Sequence, residues 1–240
     1  MDTSPFTATI YINLFDYSDS WTSISNYGGG TIPIARTADA QPGAMPVVDG
    51  KFCVWGGQII GNSITDTGGC YDPTYDSWTT TTLSGAPSSR YAHSAIAINE
   101  LLCIWGGVSS SGAARTDNGC YSPQTNTWTT ISNSGGGTIP DARFHHSAAV
   151  VQGKMCVWGG QGTLGSKVAT GGCYDQSTDS WTTISNSGGG TIPTARAEAS
   201  AITIGDEMCL WGGYSNSYLQ TGGCYNPEND GWRTISNTGG

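Results

Sequence analysis

Three groups of residues in this chain have the types and spacing to carry chemistry. Eight cysteines fall into four pairs: Cys53 with Cys70, Cys103 with Cys120, Cys156 with Cys173, and Cys209 with Cys224. The members are separated by 17, 17, 17 and 15 positions. Thiols so placed can ligate a metal, stay reduced or join as disulfides. Structural zinc sites are built from CxxC or Cys/His clusters, and neither pattern occurs. Arginines recur as Arg36, Arg90, Arg143 and Arg196. A guanidinium is a planar fork that matches carboxylates, so a ring of four would suit an acidic or sugar-acid ligand. The competing reading gives each arginine to the carbonyls of its own loop. The third group comprises the histidines His93, His145 and His146, with two acid pairs, Asp72 with Asp76 and Asp175 with Asp179. Calcium needs several convergent oxygens on a loop of defined spacing, and these acids fit Asx-type turns better. Gly-x-Ser-x-Gly, HExxH and P-loop patterns are missing, so no catalytic residue, metal or cofactor is assigned.

The elements that must hold these residues form a repeat. Tryptophans of a W-G-G motif stand at Trp55, Trp105, Trp158 and Trp211, and a second set at Trp78, Trp128, Trp181 and Trp232. The spacings are 50, 53 and 53 in the first set and 50, 53 and 51 in the second. A period near 50 with no 3.6-residue apolar stripe predicts repeated small β-sheets. Each unit reads as four strands. An inner strand follows the arginine (Ser94–Ile98 and Ser147–Val151 are the clearest). A C-[VIL]-W-G-G strand comes next, then a G-C-Y strand, then W-x-T-[IT]. Polar turns join the last two, and linkers such as ISNSGGGTIPxAR follow. Pro42 and Pro46 predict a short or irregular inner strand in the first unit.

This pattern resembles the kelch repeat in four features: a double glycine after an aromatic (Trp105-Gly106-Gly107), a downstream tyrosine (Tyr121), a tryptophan seven residues on (Trp128), and an arginine before the next inner strand (Arg143). The resemblance implies an all-β propeller of four-stranded antiparallel blades, the first strand innermost. The expectation is one domain over 1–240, with blades at about 36–83, 90–133, 143–187 and 196–237 and an N-terminal half-blade at 7–27. That half-blade matches third and fourth strands only (Phe15-Asp16…Trp21). It leaves three outcomes: a longer chain that finishes the blade, four blades closing on themselves, or strand complementation of a neighbouring copy.

Directly opposed residues of an antiparallel pair sit close enough for a disulfide, so each cysteine pair is expected to bridge the second and third strands of its blade. Free buried thiols are the alternative. The half-blade lacks both a second strand and a cysteine. Four disulfides would imply an extracellular, periplasmic or cell-surface setting, although the N-terminus shows no signal-peptide pattern. Nine basic against 18 acidic residues exclude a phosphate-binding surface for nucleic acid. No apolar run reaches bilayer length.

Function is expected at the loops, as a non-enzymatic module binding protein or carbohydrate. Arg36, Arg90, Arg143, Arg196, His145, Tyr214 and Tyr218 are the candidate ligand residues, and Phe144 a candidate contact. His93 and His146 are expected to anchor turns. A filament subunit assembled through the half-blade is the alternative. Kelch-like propellers include copper oxidases and sugar-acid isomerases, but three histidines confined to two units supply a copper site poorly.

Overall fold

A computed structural model describes residues 23–37 and 46–235. Among them the chain builds four antiparallel sheets of four strands each. The elements in order are β1 (Arg36–Thr37), β2 (Val47–Val48), β3 (Lys51–Trp55), β4 (Gln58–Ile59), β5 (Gly68–Asp72) and β6 (Ser77–Thr80). They continue with β7 (Ser94–Ile98), β8 (Leu101–Trp105), β9 (Gly119–Ser122) and β10 (Thr127–Thr130). Then come β11 (Ser147–Val151), β12 (Lys154–Trp158), β13 (Gly171–Asp175) and β14 (Ser180–Thr183). The last are β15 (Ser200–Ile204), β16 (Glu207–Trp211), β17 (Gly222–Asn226) and β18 (Gly231–Ile235). Blade I is β2-β3-β5-β6, blade II β7 to β10, blade III β11 to β14 and blade IV β15 to β18. Inner strands β7, β11 and β15 pack side by side. The expected four-strand blades are therefore present, and β2 is a two-residue stub, as the nearby prolines require. Most of the half-blade expected at 7–27 lies outside the described residues.

Each sheet is apolar on both faces and must be covered twice. The cover comes from the next blade. Trp55 meets Trp128 at 5.5 Å between ring centroids, Trp105 meets Trp181 at 5.6 Å and Trp158 meets Trp232 at 5.3 Å. These joints bury Trp55, Trp105 and Trp158 with the surrounding Ile, Val, Leu and Met side chains, giving one apolar cluster per interface.

Every cysteine faces its partner directly across a strand pair. Cys53 on β3 stands opposite Cys70 on β5, and Cys103 on β8 opposite Cys120 on β9. Cys156 on β12 stands opposite Cys173 on β13, and Cys209 on β16 opposite Cys224 on β17. All four pairs are bridged. The Cα atoms are 4.1 Å apart for Cys53 and Cys70, and 3.9 Å apart for Cys103 and Cys120. They are also 3.9 Å apart for Cys156 and Cys173 and for Cys209 and Cys224. These separations are shorter than the 4.5–5.5 Å usual for opposed strand residues, so the bridge draws the two strands together locally. Cys70, Cys120 and Cys173 are buried, as are their partners, and no free thiol remains. The alternative of buried free thiols is set aside.

The linkers are a second fastening. Asp179 of blade III accepts hydrogen bonds from Ser132 N and Oγ at 3.2 and 2.6 Å and from Ser134 N and Oγ at 2.7 and 2.8 Å, all from the linker leaving blade II. It also accepts from the Tyr174 hydroxyl at 2.9 Å. Asp230 does the same for Ser185, Ser187 and Tyr225, and Asp76 for Ser25, Asn26, Tyr27 and Tyr71. Blade II carries the neutral Asn126, which accepts from Thr82 N and the Tyr121 hydroxyl. Partial burial opposes ionisation of Asp179, but the serine and tyrosine donors overcome it and hold the carboxyl below its usual range. After this hub the linker runs parallel to the outer strand, with Trp181 N donating to Gly136 O at 3.0 Å. Gly137 passes so close that a Cβ would lie 1.7 Å from Trp181 O, and its φ is +89°, so only glycine fits. Asp72, by contrast, makes the expected Asx turn, accepting from Thr74 N at 2.9 Å.

Unreduced native protein should leave all eight cysteines unreactive to iodoacetamide, and reduction in denaturant should expose eight thiols by mass. Modification of all of them before reduction would overturn the bridges. Replacing Asp179 by Ala should cost about 2 kcal/mol in urea unfolding, the scale of charge-assisted hydrogen bonds after discounting for solvent screening. Asp179→Asn should cost clearly less, because Asn126 already performs the role in blade II.

Candidate functional site

The repeated arginines start each blade, and their structural positions correct the expectation that they face a ligand. Arg90, Arg143 and Arg196 are buried, and Arg36 is half-buried. Arg143 donates from Nε to Asp141 O at 2.8 Å, from Nη1 to Gly159 O at 3.1 Å and Thr170 O at 2.7 Å, and from Nη2 to Thr170 Oγ1 at 3.1 Å. Arg196 repeats the set on Thr194, Gly212 and Thr221, and Arg36 on Ile34, Gly56 and Thr67. Arg90 replaces threonine by an ion pair to Asp117 at 2.7 Å. Each fork is spent on the carbonyl of the first glycine of W-G-G and on the loop residue leading into the third strand. It ties the loop between second and third strands to the arginine's own segment. Burial lowers the pKa of Arg90 and Arg143 to about 10, so both remain cationic at neutral pH.

The histidines divide. His93 and His146 are buried and pack edge-on against Trp55 and Trp105, at 5.7 and 4.8 Å between centroids. They fill the joint between blades rather than anchor turns, a second correction. His146 Nε2 lies 3.0 Å from Ser94 Oγ of the preceding blade. Burial, and then the Arg90 charge, lowers His93 to about 3; burial also pulls His146 well below its ordinary value. Both rings are neutral. Blade IV has the small Ala199 there, as the Arg196-x-x-Ala199 spacing already reads in the sequence.

His145 is different. It is half-exposed, its φ is +53°, and its Nδ1 stands 3.8 Å from Glu198 Oε1. Ala92, His145 and Glu198 occupy the same place in successive blades, all with positive φ. His145 N donates to Ala92 O at 3.0 Å and Glu198 N to His145 O at 2.8 Å, a backbone chain across three blades. Beside it, Phe144 pairs with Gln161, which pairs with Lys167. Lys167 Nζ lies 4.8 Å over the Tyr214 ring, and Tyr214 meets Tyr218 at 5.5 Å, edge to face. Tyr218 is 89% exposed. Tyr214 and Tyr218 thus come together on the blade IV loop, joined to the blade III loop through Lys167, a residue the sequence pattern gave no reason to single out. Among the described residues, the one acid–cysteine group close enough to hold a metal is Glu207 with Cys209 and Cys224. Those cysteines are bridged to each other and Glu207 is paired with Arg233, so it offers no metal site.

Four-stranded antiparallel blades following one another in sequence order, each fastened to the next by the same aromatic joint, define a kelch-type β-propeller. The KLHDC2/KLHL20/DRC7 Kelch-repeats domain matches residues 43–240, and the chain belongs to the Kelch-repeat family. No curated protein matches it. Kelch-repeat domains are in general protein-interaction modules.

Neutral buried histidines set an acid limit. Their folded pKa lies below the unfolded value of about 6.5, so stability is greatest above that value and declines as the unfolded chain alone gains protons. The hub aspartates lose their contribution only below about 3.9, where unfolded carboxylates protonate. The thermal midpoint should therefore drop between about pH 6.5 and pH 5. His146→Ala should lower stability at neutral pH and flatten that slope; an unchanged slope would contradict neutral burial.

Proposed function

We propose that this chain is a non-enzymatic binding module whose ligand seat is the loop cluster of blades III and IV, formed by Tyr214, Tyr218 and Lys167 with Phe144 and His145 beside them. The observation that carries this reading is the exposed Tyr214–Tyr218 pair bridged to the neighbouring blade by Lys167. Rigid aromatics with a polar edge give a large contact at small entropic cost and suit a protein or a carbohydrate ligand. The family favours protein. Four disulfides suit an extracellular, periplasmic or cell-surface setting. The arginine knots, the hub aspartates and the buried histidines all have structural work, which supports binding over catalysis.

The test screens the protein against a displayed random-peptide library and a glycan array in parallel. Ligands captured by the wild type should bind the Tyr214→Ala/Tyr218→Ala variant about thirtyfold more weakly, the ~2 kcal/mol of an interface anchor. Equal binding would move the seat elsewhere. Peptides alone responding would select protein as the ligand class, and glycans alone carbohydrate. A second reading, a filament subunit joined by strand complementation, is favoured by the uncovered face of blade IV. Fibres in electron micrographs of unreduced protein would support it.

A further inference from the structure

The loops between second and third strands form one rim. Blades stacked side by side send these loops out at the same end, and hydrogen bonds join them. Gly57 N, at the base of the blade I loop, donates to Arg90 O at 2.9 Å, and the adjoining Tyr91 pairs with Val108 of the blade II loop. Ala114 N of that loop donates to Thr163 Oγ1 of the blade III loop at 3.1 Å. Of the four most exposed large apolar side chains among the described residues, three stand on this rim. They are Ile60 in blade I, Leu164 in blade III and Tyr218 in blade IV, at 91, 96 and 89%.

Turn tips ordinarily carry Gly, Asn, Asp, Ser or Pro, which suit the backbone there. Blade II shows that ordinary case in the same frame. Its tip is closed by Ser109 N donating to Ala113 O, as Gly162 N to Ser166 O closes blade III and Ile59 N to Ser63 O closes blade I. In this frame Leu164 stands where blade II has Ser111, and each precedes a glycine with a φ of +84°. Ile60 stands where blade II has Ser110. The turn therefore closes with serine, and side chains so exposed add almost nothing to the packing of their own chain. The charges around the tips are also sorted. The chain has 18 acidic against nine basic residues, yet the four tips, 59–63, 109–113, 162–166 and 214–218, hold no charged residue. The first charges behind the tips of blades II and III are cationic: Lys167 closes its tip by pairing with Gln161, and Arg115 follows Ala114, which pairs with Val108. Asp66 and Asp117 come later on their loops, Asp117 in its ion pair with Arg90.

We propose that this rim is a docking surface for a phospholipid bilayer, entered by Ile60, Leu164 and Tyr218. The three tips belong to separate blades, with the serine tip of blade II between the first two, so they form spikes rather than one contiguous patch. A folded partner would have to offer a separate matched pocket to each, whereas the fluid boundary of a bilayer accepts each tip independently. With the apolar tips below the headgroups, Lys167 and Arg115 stand at the level of the phosphates, and the amphipathic Tyr218 ring suits the interface itself. This inference goes beyond the ligand seat at Tyr214 and Tyr218 and does not rest on it.

Co-sedimentation of the full, unreduced chain with phosphatidylcholine vesicles tests it. The wild type should sediment with them, and high salt should leave the binding in place because the contact is apolar. Ile60→Ser/Leu164→Ser should bind about tenfold more weakly, with an unchanged thermal midpoint. Ser111→Leu, which gives blade II a tip of its own, should bind severalfold more tightly, again with the midpoint unchanged. Capture of peptides or glycans at Tyr214 and Tyr218 should be the same in both variants as in the wild type, which separates this surface from the ligand seat. Wild-type protein left in the supernatant would overturn the docking surface, as would equal binding by Ile60→Ser/Leu164→Ser or release by salt alone. Vesicles ignored by the wild type, with peptide capture lost in Ile60→Ser/Leu164→Ser, would overturn it too and give the tips to a protein partner.

Discussion

A four-stranded blade with apolar residues on both faces cannot be stable alone, and the stacking of one blade on the next is the constraint on which the structure depends. The contact is the same each time: a tryptophan at the end of the second strand against a tryptophan on the fourth strand of the following blade. Its aromatic area cannot be buried within one sheet, because the glycines of the adjacent strand leave nothing to cover it. The fold is therefore close to a one-dimensional stack, in which each unit's stability is shared with its neighbours.

Given that stack, the polar residues of the repeat act as fasteners. The arginine fork closes each second-to-third-strand loop onto the start of its own blade, and the hub aspartate ties each blade to the linker from the preceding one. The two work at different burial. A buried guanidinium is costly unless its donors are satisfied, so its five N–H groups impose the loop conformation. The aspartate is partly solvated and gains from accumulating donors. Blade II shows that each device tolerates exchange: Asn126 stands at the hub, and Asp117 supplies the acceptor that a threonine gives elsewhere.

The strand order and the pairing of cysteines were legible because both follow from short-range periodicity. Second and third strands that alternate in register place Cys70, Cys120 and Cys173 opposite their partners whatever the blade's surroundings. The role of the arginines was open in sequence. A repeated cation reads the same whether it faces solvent or carbonyls, and only burial separates the two. His93 and His146 read as turn anchors for a related reason. Their place beside Gly56 and Gly106 of the preceding blade is a contact about 37 to 40 residues away in sequence, beyond any local pattern. Lys167 left no signal at all, since a lone lysine in a loop of variable sequence is distinguished only by the ring it happens to face.

The proposed ligand seat and the exposed face of blade IV lie on the same blade, at opposite ends of one short path. Trp211 is followed by Gly212 and Gly213, and then by Tyr214. Arg196 holds Gly212 by its carbonyl, and Tyr214 pairs with Ala197 through two backbone bonds of 3.0 and 2.8 Å. In the interior blades the residue before this double glycine is immobilised by the next blade, so the loop that follows starts from a fixed point. In blade IV that point is half-exposed. Trp211, Gly212 and Gly213 thus form the base of the Tyr214–Tyr218 loop. The least-supported blade and the most recognition-like loop are then one physical unit.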